Sequence, residues 1–383
     1  MPALIRLPGR DGPLVIPSPR WAAGYPAPAR RKVFAAAHVA AVSDGGVPVI
    51  DWESTMGFRE RLWAHGFGVA EAMDTAQRGM GLSWDQAREL IAGTAARAAA
   101  AGRLDALACG AGTDQLAGGG EHPLGAIIDA YAEQMAFVQP AGAQVILMAS
   151  RALAATARGP RDYLEVYGEL LKQADRPVIL HWLGEAFDPA LRGYWGGGFE
   201  EAAATVLELI ERAGGQVDGV KLSVLDAARE VSLRRRLPAG VRLYTGDDFN
   251  YASLIRGDAG GSHSDALLGA FAAITAPAAA ALAALDRGDL PGYDAAMGPT
   301  VPLSRLIFEP PTYHYKAGIA FLAWLNGLQP QFVMLGGLER QRPAGHLIRL
   351  FELAAAAGAL SQPELAVERM GEMLARSADG ERR

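Results

Sequence analysis

The stretch VDGVKLSVLD, residues 217–226, reads as a short apolar strand with a lysine, Lys221, at its middle. Burial disfavours an ammonium and favours the neutral amine, and a neutral amine is a nucleophile toward a ketone carbon. Lysine is also scarce here. Among 36 Lys plus Arg residues, only Lys32, Lys172, Lys221 and Lys316 are lysine. Lys32 follows two arginines, Lys172 lies late in an amphipathic helix where a cation suits the C-terminus, and Lys316 lies in a helical stretch. Arginine, the usual cation of this chain, keeps its proton and could not do the same work. Lys221 is therefore the first candidate for chemistry, as a Schiff-base lysine. The structural alternative is a lysine whose stem packs beside the strand while its amine reaches out to water.

A reactive lysine needs elements that hold partners around it. From residue 32 the chain alternates strand and helix patterns. Candidate strands are KVFAAAHVA, GFGVAEAMD, DALACGA, AQVILMA, PVILHW, GVKLS, VRLYTGD and AGGSHSD. Amphipathic segments separate them, one opening with the capping-box pair Ser83 and Gln86. Alternation predicts parallel βαβ units, and eight strands predict a closed (β/α)8 TIM barrel. No GxGxxG turn follows the first strand, which argues against a doubly wound dinucleotide-binding sheet. Residues 1–31 read as an extension with a small hairpin around PGRDG and a proline-rich arm, 32–286 as the barrel, and 287–383 as a C-terminal helical region.

Composition narrows the class. The chain has 383 residues, half of them hydrophobic, and a net charge of −6 with no block of like charge. That speaks against a nucleic-acid surface or a polybasic membrane anchor. A single cysteine, Cys109, excludes an internal disulfide framework and a cysteine-based metal site. No window resembles a membrane span or a cleaved leader, so a cytoplasmic protein is expected.

In a barrel of this kind the chemistry gathers at the C-terminal ends of the strands. His38 ends the first predicted strand, Glu71, Asp74 and Thr75 close the second, Ser150 and Arg151 follow the fourth, and His181 ends the fifth. Thr245, Asp247 and Asp248 close the seventh, and Ser262, His263, Ser264 and Asp265 come at the eighth. Adjacent strand residues point opposite ways, so at most one of Asp247 and Asp248 faces the pocket. Asp248 is expected to cap the next helix, which leaves Asp247 for the site. His38, Glu71, Asp74 and His263 could bind a divalent metal, although no HxH or HExxH spacing is present; hydrogen bonding to substrate hydroxyls is the preferred role. The glycine runs at 110–113 and 118–120 lack a P-loop lysine and read as the loop after strand three.

The block VDGVKLSVLDAAREVSLRRRLPAGVRLYTGDDFNYASLIRGDAGG resembles strands six to eight of the dihydrodipicolinate synthase and N-acetylneuraminate lyase family. That family has a GIK strand with the Schiff-base lysine, a helix, a strand ending in an SGDD-type turn, and a Gly-rich eighth strand. GVK, TGDD and DAGG occur here in the same order, and MDTAQRGMGLSWDQARELI stands where the family has GTTGE, a short turn and an acidic helix. The resemblance spans about residues 32–360. It implies a TIM barrel with a helical appendage, class I aldolase-type lyase activity, an imine on Lys221 and no other cofactor. A small keto acid or keto sugar is the expected partner, in a homo-oligomer.

Two departures bear on the substrate. In the family two threonines grip the carboxylate of pyruvate; here Asp74, Thr75 and Ala76 stand there, so only Thr75 remains. Where the family has a proton-shuttling tyrosine after strand five, this chain has His181, and histidine can carry out the same transfer. The expected site is thus Lys221 and His181 as catalytic groups, with Thr75, Asp74, His38, Asp247, Ser262 and His263 binding substrate and no metal. Alternatives are a metal-dependent sugar isomerase or class II aldolase barrel, with a divalent cation, and a non-catalytic small-molecule-binding barrel.

Overall fold

A computed structural model describes residues 3–116 and 120–380; Gly118 and Gly119 of the glycine run at 118–120 lie outside the described residues. The chain forms two compact units. One comprises the chain up to Arg30, His38–Phe67 and the chain from Gly269 on; the other comprises Arg31–Ala37 and Gly68–Leu268.

The second unit is a closed barrel of eight strands. In chain order these are β1 (Val33–Ala36), β2 (Gly68–Glu71), β3 (Leu107–Ala111), β4 (Gln144–Leu147), β5 (Val178–Leu183), β6 (Val217–Ser223), β7 (Arg242–Thr245) and β8 (Asp265–Leu268). Every pairing is parallel, each strand lies beside the next in sequence, and β8 pairs with β1. This is the (β/α)8 architecture, with helices between the strands. The strands are short and almost wholly buried, as expected where both faces of a parallel sheet are covered.

The barrel interior can be read from one apolar cluster. Phe34, Ala70, Ala108, Ile146, Ile179, Tyr244 and Leu267 come from β1, β2, β3, β4, β5, β7 and β8 and pack together. Only the inside of a closed barrel brings such positions to one place. β6 contributes no side chain to this layer. Its level there is Gly219, and a Cβ on Gly219 would meet Tyr244 Cε2 and the Arg242 carbonyl oxygen, both at 2.7 Å. The tyrosine ring occupies the space that a side chain on β6 would need.

Helix starts follow local chemistry. Trp84–Ala100, between β2 and β3, opens on Ser83, whose hydroxyl accepts from Gln86 N at 3.3 Å while Gln86 Oε1 accepts from Ser83 N at 3.0 Å. The eighth strand departs from expectation. It is DALL rather than AGGSHSD, because the residues before Asp265 form a turn in which the Asp258 carboxylate accepts from the backbone N–H groups of Gly260 and Ser262.

The first unit holds a short antiparallel hairpin, Ala3–Ile5 with Leu14–Ile16, a helix Trp52–Ala64, and the C-terminal helices. Among these, Tyr315–Leu325 is buried at every position, which marks it as central to that unit.

Candidate active site

Lys221 lies on β6 in register with His181 of β5 and Tyr244 of β7. Residues directly paired in a parallel sheet share a face. Tyr244 lines the interior, and so does Ile179, two residues before His181. Lys221 therefore points into the barrel, one step along the strand from the glycine that Tyr244 displaces. The G-x-K pattern has a physical reading: an inward position that must be empty, an outward valine, and an inward amine above a tyrosine floor.

Glycines at the neighbouring strand ends hold β6 in place. The Gly184 and Gly246 N–H groups donate to the Ser223 and Leu222 carbonyls at 2.9 and 2.8 Å. A Cβ on Gly246 would stand 2.1 Å from Ser223 Oγ, and one on Gly184 would stand 2.9 Å from the Ser223 carbonyl oxygen. The glycine of the TGDD turn is thus required by close approach to the lysine strand.

The amine of Lys221 is 7% exposed as a residue and makes no hydrogen bond or ion pair within 4 Å with any described residue. Burial pulls its pKa below 10.5, against the opposing charges of Asp74 and Asp248. His181 is fully buried, with neither ring nitrogen hydrogen-bonded. Burial first, and the charge of Lys221 second, hold its pKa well below 6.5, so the ring is neutral. Its Nδ1 is 3.8 Å from Asp74 Oδ2, and the Asp74 side chain is 24% exposed. An amine shifted toward its neutral form, a neutral imidazole with both nitrogens unengaged, and a carboxylate beside it form a set that can attack a carbonyl and move a proton.

The loop that brings Asp74 is strained and clamped. Ala72, just after β2, has φ 52°, and Leu225, just after β6, has φ 54°. Gln77 and Trp195, in loops after β2 and β5, have φ of 66° and 73°. These are the non-glycine residues with positive φ among the described residues, and all four follow the C-terminal ends of barrel strands, where strain commonly accompanies function. Below the Asp74 turn, Arg78 donates to both oxygens of Asp114, to Gln134 Oε1 at 2.8 Å, and to the Ala72 and Gly110 carbonyls at 3.2 and 3.3 Å.

Other expected residues fall in different places. Thr75 is buried beside Asp74 in the 3-10 turn Asp74–Ala76. Both aspartates after β7 are buried. The Asp247 carboxylate holds the turn before the helix Tyr251–Arg256, accepting from Phe249 N, Asn250 N and Asn250 Nδ2 at 2.9, 3.0 and 2.8 Å. Asp248 is the one whose charge acts on Lys221. Local turn geometry decides this, since the first aspartate of the turn is the one whose side chain reaches the N–H groups two and three residues on.

Ser262 and His263 precede β8 rather than ending it. Ser262 Oγ accepts from Arg234 Nε at 2.9 Å, and His263 Nδ1 is 3.1 Å from the Gly261 carbonyl oxygen. His38 belongs to the first unit, where its Nε2 is 2.9 Å from Gln329 Oε1 and burial takes its pKa to about 4. The Glu71 carboxylate accepts from Ala72 N and the Thr94 hydroxyl at 2.7 and 2.6 Å. Among the described residues no three His, Cys, Asp or Glu side chains are grouped so as to hold a metal ion.

Sequence reasoning misses Asp248 and Tyr244 as neighbours of Lys221. Their signal was present in the TGDD turn and in the register of YTGD against GVKLS. The loop after β5 is also more firmly held than its glycines suggest. Its Tyr194 hydroxyl accepts from Ser150 N at 3.0 Å and meets Tyr167 at 2.8 Å, and Trp195 packs on Tyr167 with ring centroids 4.3 Å apart.

The sequence matches, over residues 6–378, a family described as "Protein of unknown function (DUF993)". No curated protein sequence matches it. Solved structures resemble it in fold. Dihydrodipicolinate synthase from Aquifex aeolicus is 14% identical with a TM-score of 0.63, over 87% of this chain and 99% of that one. The synthase from Bacillus clausii is 15% identical with a TM-score of 0.63, over 85% and 98%. YagE from E. coli K12, a prophage protein of the dihydrodipicolinic acid synthase family solved in complex with pyruvate, is 14% identical with a TM-score of 0.63, over 88% and 99%.

Proposed function

The chain belongs to the DUF993 family and has the fold of dihydrodipicolinate synthases, and from that premise we propose that it is a lyase whose Lys221 forms an imine with a ketone substrate. One observation carries the reading: the Lys221 amine is buried on the inner face of β6, without a hydrogen bond, beside a neutral His181. Burial shifts such an amine toward its neutral, nucleophilic form.

The amine adds to the ketone carbon, and loss of water, with one proton taken up from solvent, leaves a protonated imine. His181 then takes the proton of a hydroxyl two carbons from the imine carbon. The bond joining that hydroxyl-bearing carbon to the carbon next to the imine breaks, an aldehyde leaves, and the electron pair moves into the iminium to give an enamine. His181 returns the proton to the enamine carbon, and water hydrolyses the imine to free the amine. Asp74, 3.8 Å from His181 Nδ1, steadies the ring while it is charged. The reverse sequence is a condensation.

The surroundings favour a polyhydroxylated ketone over a short 2-oxo acid. Asp74 and Asp248 place negative charge near the amine, and Ala76 offers no hydroxyl to a substrate carboxylate. Losing one hydrogen bond to a charged group costs about 1.5–3 kcal/mol, roughly ten- to a hundredfold in affinity. Pyruvate is therefore expected to bind weakly. The test is borohydride reduction of the protein with a panel of keto sugars and 2-oxo acids, pyruvate included, followed by peptide mass spectrometry. A keto sugar fixed on the peptide carrying Lys221 supports the reading; no adduct from any member sinks it.

A further inference from the structure

We propose that the first compact unit carries a second small-molecule site, a cavity of about 300 Å³ around Arg61 and His65 that takes a hydroxy-carboxylate with an apolar body. All of its lining residues belong to that unit, and none is an aspartate or glutamate.

Arg61 stands in the last turn of the helix Trp52–Ala64. Its Nε is buried without a partner, and its guanidinium makes no hydrogen bond or ion pair with any described residue. The carbonyl end of the helix offers it partial negative charge only. Arg59, on the same helix, shows how this unit treats an arginine that serves structure: it is fully buried and donates to the His38 and Thr55 carbonyls. Arg61 lacks such acceptors and faces the cavity instead.

His65 supplies the second group. Its Nδ1 lies 2.8 Å from the Arg61 carbonyl oxygen. A carbonyl only accepts, so Nδ1 carries the hydrogen and Nε2 presents a lone pair. That Nε2 is buried and has no partner. Burial lowers the pKa of His65, which keeps the ring neutral and the lone pair available.

The remaining polar wall is already engaged. The Asn326 amide donates to the Leu322 and Ala359 carbonyls, both at 3.0 Å, and the Gln362 amide donates to the Asn326 carbonyl at 3.0 Å. Thr275 Oγ1 donates to the Phe271 carbonyl at 2.9 Å. Trp21, Leu322 and Leu328 make the rest of the wall apolar. A ligand that satisfies this cavity brings a carboxylate to Arg61, an O–H to His65 and a hydrocarbon or aromatic body to the apolar side. An ammonium in place of the hydroxyl would stand against the arginine, so a hydroxyl is the better match.

The test is titration calorimetry on the full chain with L-3-phenyllactate, and with 3-phenylpropionate, which lacks the hydroxyl. Wild type binds phenyllactate saturably and phenylpropionate more weakly. Arg61→Met lowers phenyllactate affinity at least tenfold, and thermal melts show the unliganded variant to be no less stable than wild type, because a half-buried charge with no partner among the described residues has been removed. His65→Phe keeps a ring in place and brings phenyllactate down to the affinity of phenylpropionate, a readout that survives should Arg61→Met fail to fold. Lys221→Arg binds phenyllactate as wild type does. The proposal is overturned by absence of phenyllactate binding, by unchanged affinity in Arg61→Met or His65→Phe, or by binding that depends on Lys221 and not on Arg61.

Discussion

Lys221 and Arg78 are both buried cations of the barrel unit, and their surroundings are opposite. Arg78 spends its donors on a carboxylate, a side-chain amide and two carbonyls, and lies over the Trp84 ring at 5.3 Å. Among the described residues Lys221 has no hydrogen bond, and the imidazole beside it has none either. A buried polar group without partners costs stability, so folds rarely leave one unless something else will meet it. The saturated cation ties the loop after β2 to the loop after β3, and the unsaturated one is the group that the proposed function assigns to a substrate. On the proposed function, the contrast separates a structural cation from a reactive one in a way that charge or burial alone does not.

The largest expected effect removes chemistry and spares the fold. Lys221→Arg retains charge but cannot form an imine. Turnover of whichever ketone is trapped on wild type should vanish, and borohydride should fix nothing; wild-type turnover in this variant would make Lys221 structural and erase the contrast. Next comes His181→Ala, which should still permit trapping but slow turnover by roughly a hundred- to ten-thousandfold, the usual loss for a general acid–base group. Trapping and turnover falling together would instead assign His181 to substrate binding.

The third test falls on the other side of the comparison. Burial pushes the Asp114 carboxyl up, and the hydrogen bond and charge of Arg78 more than reverse it, leaving the pKa below its ordinary value. Arg78→Met abandons that buried carboxylate and should cost about 3–5 kcal/mol, read as a shift in the urea midpoint. A cost below about 1 kcal/mol would show that the clamp is dispensable.

The smallest effect is a pH dependence. The folded pKa of Lys221 lies below 10.5, so between the two values the unfolded chain binds the extra proton. Stability from this group therefore rises with pH across that window. Lys221→Met should be more stable than wild type at neutral pH, and the gap in melting temperature should narrow as pH approaches 10.5. A gap that widens would mean the ammonium is favourably held.

Much of the architecture is legible in the chain. Strand and helix patterns alternate, and patterns of period two and 3.6 dictate which faces are buried, so eight parallel strands follow from residue order. The anomaly of Lys221 is legible too, because a lysine in an apolar strand of an arginine-rich protein has few ordinary explanations. The eighth strand is not: AGGSHSD and DALL are both short, and the Asp258 turn before Asp265 decides between them. Nor is the place of His38, which two residues past Ala36 falls outside the barrel unit, or of His263, which is held at a loop.

Residue types and their order along the chain determined the barrel, the lysine at its sixth strand and the histidine at its fifth, since those depend on local periodicity and on side-chain chemistry. Tertiary structure alone decided which aspartate of the TGDD turn acts on the lysine, that Asp74 stands 3.8 Å from His181, and that Gly219 is empty because Tyr244 fills its place. Those outcomes depend on strand register and on which backbone N–H groups a turn leaves unpaired. Both are set only when the sheet closes and distant segments compete for the same space.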